Sequence, residues 1–328
     1  MSAPPVLERD APPAGSEAPV EPVRRPRRHP WVAIIAMVLG ALMIPAVMAG
    51  GWAIARHSPE AMRVVAEQHE PAAERVRVET SFARVVIEFA GHDDAARLEV
   101  STSSRDGADR APIELVAEDD GLVVRDRPGP GTGWLGAGST VAVLTLPEAL
   151  DGRLAVDLEV GSGALEVNGA LAELRGSLSS GAVSILGPAG DIDLVVDSGA
   201  ADLAGGRDTR IDVRSGSVWL AGTYERLRVN LDSGWLDGDA AVLLEAELSV
   251  DSGLGSFALQ EPMPAATTLD VNSGMFELRV PPGLYQGALD AGPSGGIDVD
   301  PQVRVDGGAD RPQLLLSVTS GRIDVTVE

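Results

Sequence analysis

The sequence predicts an all-β protein: a single-domain β-solenoid of stacked coils, preceded by one transmembrane helix and a disordered N-terminal tail. Three observations carry this. A Ser-Gly dipeptide recurs nine times between Ser162 and Ser320. Apolar residues stand at fixed offsets from it. A run of 25 residues without charge, Trp31 to Ala55, follows an arginine cluster.

The dipeptides are Ser162-Gly163, Ser180-Gly181, Ser198-Gly199, Ser215-Gly216, Ser233-Gly234, Ser252-Gly253, Ser273-Gly274, Ser294-Gly295 and Ser320-Gly321, spaced by 18, 18, 17, 18, 19, 21, 21 and 26 residues. Two residues before the serine stand Val160, Leu178, Val196, Val213, Leu231, Val250, Val271 and Val318. Three after it stand Leu165, Val183, Ala201, Val218, Leu236, Phe276, Ile297 and Ile323. Five after it the residues are again mostly Val, Ile, Leu or Phe. The offsets −2 and +3 differ by an odd number, so a straight strand would send them to opposite faces. Both are apolar, so the chain must bend at Ser-Gly. The glycine is expected to supply the unusual backbone angles of that corner. Gly255 and Gly292 interrupt the rows in two coils. One repeat then makes one coil, and coils stack in chain order at about 4.8 Å.

The span from Trp31 to Ala55 is long enough for a hydrocarbon core of about 30 Å. Arg24, Arg25, Arg27 and Arg28 precede it, so the N-terminus is expected inside and the remainder exported to the extracellular face. Residues 1–30 are rich in Pro, Ala, Glu and Arg and predict a disordered cytoplasmic tail. Residues 56–75 read as a juxtamembrane helix or linker, because Ser58-Pro59-Glu60 resembles a helix start and Pro71 a stop. The ectodomain is expected over 76–328. Its last strand, Ile323 to Val327, ends the chain without an evident cap, and a dimer through that edge is the alternative to an edge guarded by Arg322, Asp324 and Glu328.

Composition restricts function. The formal net charge is −23, which disfavours nucleic acid and anionic polymers. There is no cysteine, so no disulfide or thiolate chemistry. The four histidines, His29, His57, His69 and His92, all lie outside the repeats, so no Ser-His-Asp triad or histidine metal site is available there. Gly131-Thr132-Gly133-Trp134-Leu135-Gly136 matches a dinucleotide fingerprint, but strand-like sequence follows it where a helix is required. No cofactor, catalytic residue or metal ligand is assigned. The Asp232–Asp251 pair on adjacent corners is the nearest approach to a cation site. The serines are structural corner residues.

The pattern Leu154-Ala155-Val156-Asp157-Leu158-Glu159-Val160-Gly161-Ser162-Gly163-Ala164-Leu165-Glu166-Val167, with Thr145-Leu146-Pro147 before it and Val318-Thr319-Ser320-Gly321-Arg322-Ile323-Asp324-Val325 at the end, resembles the bacterial putative-adhesin family. The resemblance runs from about residue 76 to 328. It implies a β-solenoid fold, frequent membrane anchoring or export, and no established catalytic residues.

One feature points to binding. Trp219, Trp235, Leu254 and Met275 fall on consecutive coils at offsets of four or two from the serine. Facing outward, they form an apolar stripe of the kind that marks partner surfaces. The expected function is therefore a membrane-anchored cell-surface protein with a non-enzymatic binding, adhesion or structural role. Its partners are the membrane, an envelope glycan or surface protein, or a second copy. The alternatives are an envelope-stress sensor acting through residues 1–30 and, third, a polysaccharide-active enzyme.

Overall fold

The computed structural model describes residues 63–90, 94–103, 112–127, 140–306 and 311–327, all within one unit, Glu60–Glu328. The expected tail and transmembrane span lie outside the described residues. Among the described residues no helix is long and apolar enough to cross a membrane.

The described chain is all β, with one short 3-10 turn at Glu148–Leu150. Seven strands precede that turn: β1 (Arg63–Pro71), β2 (Arg75–Thr80), β3 (Arg84–Phe89), β4 (Ala95–Thr102), β5 (Ile113–Glu118), β6 (Gly121–Asp126) and β7 (Thr140–Leu146). β8 (Ala155–Val160) and β9 (Ala164–Asn168) flank the first Ser-Gly corner; β10 (Leu171–Leu178) and β11 (Ala182–Ile185) flank the second. β12 (Ala189–Val196) leads to the third. β13 (Ala200–Val213), β14 (Ser217–Leu231) and β15 (Trp235–Val250) each run from one corner to the next. β16 (Leu254–Gln260), β17 (Ala266–Val271), β18 (Met275–Val280), β19 (Gly283–Ala291), β20 (Gly296–Val299), β21 (Val303–Asp306), β22 (Gln313–Val318) and β23 (Arg322–Val327) complete the chain.

Corresponding strands pair in parallel, one repeat apart. β10 lies between β8 and β12, and β11 between β9 and β13. β13 pairs with β14 and β14 with β15 over nearly their whole lengths. Corner also meets corner: the Ser180 N–H donates to the Gly161 carbonyl at 2.7 Å, and Ser233 to Arg214 at 2.9 Å. The −2 row is buried in every coil where it is Val or Leu, and Leu165, Val183, Val218, Leu236 and Ile323 at +3 are buried beside it. The odd offset is thus reconciled by the bend.

The corner glycines differ from expectation in their reason. None of them has a positive φ; among the described residues that region holds Gly121, Gly152, Gly176, Gly205 and Gly222. Their role is close approach. A Cβ on Gly234 would stand 2.1 Å from the Gly216 carbonyl oxygen, and one on Gly181 2.2 Å from that of Gly163. The gap at Gly255 is filled by the Phe276 ring from the next coil, which a Cβ there would meet at 2.1 Å.

Three further expectations are corrected. The helix expected before residue 71 is the strand β1, antiparallel to β4. The β-branched Val64, paired with Ser101, and a cross-strand ion pair, Arg97 to Glu67 at 3.0 Å, favour the sheet over the local helix-start signal. The stack also begins before the first Ser-Gly. β2 and β3 form a coil around Thr80–Ala83 that pairs with β8 and β9 on one side and β6 and β7 on the other. β5 and β4 then close that end with antiparallel pairing to β6 and β7.

Finally, the coils do not stack in chain order at the C-terminal end. β22 and β23 pair with β17 and β18 on one side and with β19 and β20 on the other. The last coil of the chain therefore lies inside, and the coil of Ser294 lies outside it. The final strand is paired on both edges and is not the free edge expected. Packing explains the order. Leu314, Leu316, Val318, Ile323 and Val325 are all buried, whereas the Ser294 coil offers Gly292 at −2 and only partly buried Ile297 and Val299. The poorer interior row closes the stack.

Candidate binding face

The face in question is the outward side of the strands that follow the corners. There the register places Ala164, Ala182, Ala200, Ser217, Trp235, Leu254, Met275 and Arg322 in one row across consecutive coils. The neighbouring row, two residues on, holds Glu166, Ser184, Asp202, Trp219, Asp237, Ser256, Glu277 and Asp324. Strand alternation sends both rows outward because Val183, Val218 and Leu236 between them point in.

Trp219 and Trp235 sit diagonally on adjacent coils. Their ring centroids are 5.8 Å apart with the planes at 69°, an edge-to-face contact. Both are half-buried. Leu254 and Met275 are 43% and 47% exposed, among the largest exposed apolar side chains described. The four residues form a continuous stripe. Ala164, Ala182 and Ala200 extend it at lower relief.

Acidic residues border the stripe. Asp202 and Asp237 flank Trp219 in its own row, with Glu277 beyond them, and exposed Asp232 and Asp251 stand on the corner side. Loss of hydration raises the Asp202 carboxyl above its ordinary value. Two basic residues nearby are engaged, Arg214 with Asp197 and Arg322 with Asp324 at 2.6 Å, and Arg279 stands two residues beyond Glu277 as the cationic exception. The border is thus mainly anionic around an apolar centre.

Other candidates resolve into structure. The corner serines hold neighbouring coils: Ser273 Oγ donates to the Asp251 carbonyl at 2.9 Å and Ser320 Oγ to that of Asn272 at 3.0 Å. Asp251 accepts a hydrogen bond from Asn272 at 2.6 Å, and among the described residues no group of three or more ligating side chains could hold a metal ion. His69 lies on β1, 3.5 Å from Glu67. A shallow groove on the strands before the corners is lined by Asp208, Arg210, Arg226, Arg228 and Glu247. Arg226 pairs with Asp208 at 2.8 Å and Arg228 with Glu247 at 2.6 Å, so these form a ladder of neutralised charges. Sequence reasoning missed this ladder, although arginine and acid alternate there at the coil period.

No family model and no curated protein matches the chain. Among solved structures it is similar to a putative adhesin from Parabacteroides merdae, with 11% identity over 79% of this chain and 95% of that one, at a TM-score of 0.49. A putative lipid binding protein from Parabacteroides distasonis matches at 13% identity over 79% and 96% of the two chains, at a TM-score of 0.46. A putative adhesin from Parabacteroides distasonis matches at 13% identity over the same shares, at a TM-score of 0.43.

Proposed function

We propose that this chain is a non-enzymatic binding protein of the cell envelope. In this reading it is an adhesin-type β-solenoid, anchored through residues 31–55 and displayed extracellularly. Its binding face is the stripe of Trp219, Trp235, Leu254 and Met275. The observation that carries the reading is that stripe: four large apolar side chains in register on an outward face, at least partly open to solvent and bordered by carboxylates. Contiguous apolar surface of this kind is costly to leave in water and is characteristic of contact sites. Tryptophan is enriched at the centres of such sites.

The charge around the stripe selects the partner. Asp202, Asp232, Asp237, Asp251 and Glu277 disfavour anionic ligands and favour a cationic polypeptide surface with apolar side chains. We test the reading by cosedimentation of Glu60–Glu328 with isolated cell envelopes. The Trp219→Ala/Trp235→Ala variant, matched for thermal stability, loses at least about tenfold in affinity, since truncating an interface anchor costs about 2 kcal/mol or more. Equal binding by both proteins excludes the stripe.

A further inference from the structure

Repeat stacks are quasi-one-dimensional, and their ends are where they fray. In a stack built in chain order the terminal coil is also the outermost. It is held by a single neighbour and has a free chain end, so it peels readily. This chain is arranged otherwise at its C-terminus. β22 and β23, the last strands, are each paired on both sides, by β17 and β18 below and by β19 and β20 above. The outermost coil, β19–β20, belongs to the interior of the sequence and is continuous with β18 before it and β21 after it.

The other end repeats the arrangement. β2 and β3, the first strands to form a coil, lie inward of β6 and β7, and pair on both sides. Only β1 lies outside them in the chain, on β4. Thus at both ends the coil nearest the chain terminus is clamped, and the coil that clamps it is held at both of its own ends.

We propose that these two out-of-order coils are clasps that keep the stack from unravelling from its termini. The physical basis is counting. Removing β22–β23 breaks two ladders where a terminal coil would lose one, and it strips β19–β20 of its neighbour. The segment 281–328 therefore opens as one cooperative unit. Fraying of β19–β20 alone returns little chain entropy, because that coil is tethered on both sides. Corner contacts reinforce the clamp: the Ser320 and Arg322 N–H groups donate to Asn272 and Gly274 at 2.7 and 3.0 Å, and the Gly292 and Gly296 N–H groups donate to Val318 and Gly321 at 2.7 and 3.1 Å. The clasp fits a chain that bears tension between an anchor and a partner, but it rests on strand order alone and stands whatever the stripe binds.

Native-state hydrogen exchange on the full chain tests it. The clasp predicts that the hydrogen-bonded amides of Leu284–Val299 and Leu314–Val325 exchange through one opening with the same free energy, although the latter lie nearer the chain end. Protection that falls steadily toward the C-terminus, with Leu314–Val325 lowest, overturns it. Pulling on the two ends of the full chain gives a second measurement. The first C-terminal release should be the whole of 281–328 in one step. Release in single-repeat steps beginning at Glu328 contradicts the clasp.

Discussion

At the scale of the residue, the structure turns on small side chains and the space they leave. A corner glycine is required by the coil before it, through a carbonyl oxygen that leaves no room for a methyl group. Gly234→Ala is expected to destabilise by about 1–3 kcal/mol, the usual cost of overpacking. Gly296, whose Cβ would meet nothing within 4 Å, provides the control; Gly296→Ala melts at nearly the native temperature. Thr267 is a second case. It is fully buried between Ala246 and Leu314, and its hydroxyl has no hydrogen-bond partner among the described residues. Thr267→Val removes that desolvated group at almost constant volume, so denaturant midpoints should rise by an equivalent of about 1 kcal/mol. The sequence revealed the rows in which these residues stand, because burial follows offset from Ser-Gly. It did not reveal why the glycines are needed, since that reason lies in the neighbouring coil rather than in the glycine's own φ.

At the scale of the element, local signals sufficed where a strand is defined by its own alternation and failed where pairing decides. β8 to β18 follow the spacing closely. β1 was legible only as a helix start and stop, because its partner β4 lies more than twenty residues on. The hairpin of β5 and β6 at the same end offers a pH test. Glu114, 17% exposed, accepts from Arg125 Nε at 2.8 Å and from Arg127 Nε at 2.8 Å. Those two guanidiniums hold its carboxyl below the ordinary value of 4.5. A carboxyl whose folded value is depressed binds fewer protons folded than unfolded. Its stabilisation is therefore fully present above about pH 4.5 and is lost as pH falls through the folded value. Melting curves of the native protein and Glu114→Gln should differ at neutral pH and converge in acid. A gap that persists unchanged in acid removes the ion pairs as its cause.

At the scale of the whole molecule, the period of the repeat was legible but the order of the coils was not. A spacing says how far apart two coils are in sequence. It does not say which is above the other, and adjacency in chain is only the commoner arrangement in space. The Ser294 coil carried the one hint: Gly292 leaves its −2 position empty, so it fills a shared interior poorly. The apolar stripe was legible as residues, whereas parity alone left its direction open, and the bend at each corner fixes it outward. Charge acts at this scale as well. With a formal net charge of −23, the molecule attracts cationic partners at long range, and the carboxylates around Trp219 focus that attraction on the stripe.

The most direct measurement is a calorimetric titration of Glu60–Glu328 with a short peptide alternating lysine and leucine, beside its glutamate–leucine counterpart. An acid-bordered apolar face binds the lysine peptide saturably, more weakly as salt screens the carboxylates, loses it in Trp219→Ala/Trp235→Ala, and does not bind the glutamate peptide. Equal binding of the two peptides, or binding of the lysine peptide that survives removal of both tryptophans, contradicts an acid-bordered apolar binding face.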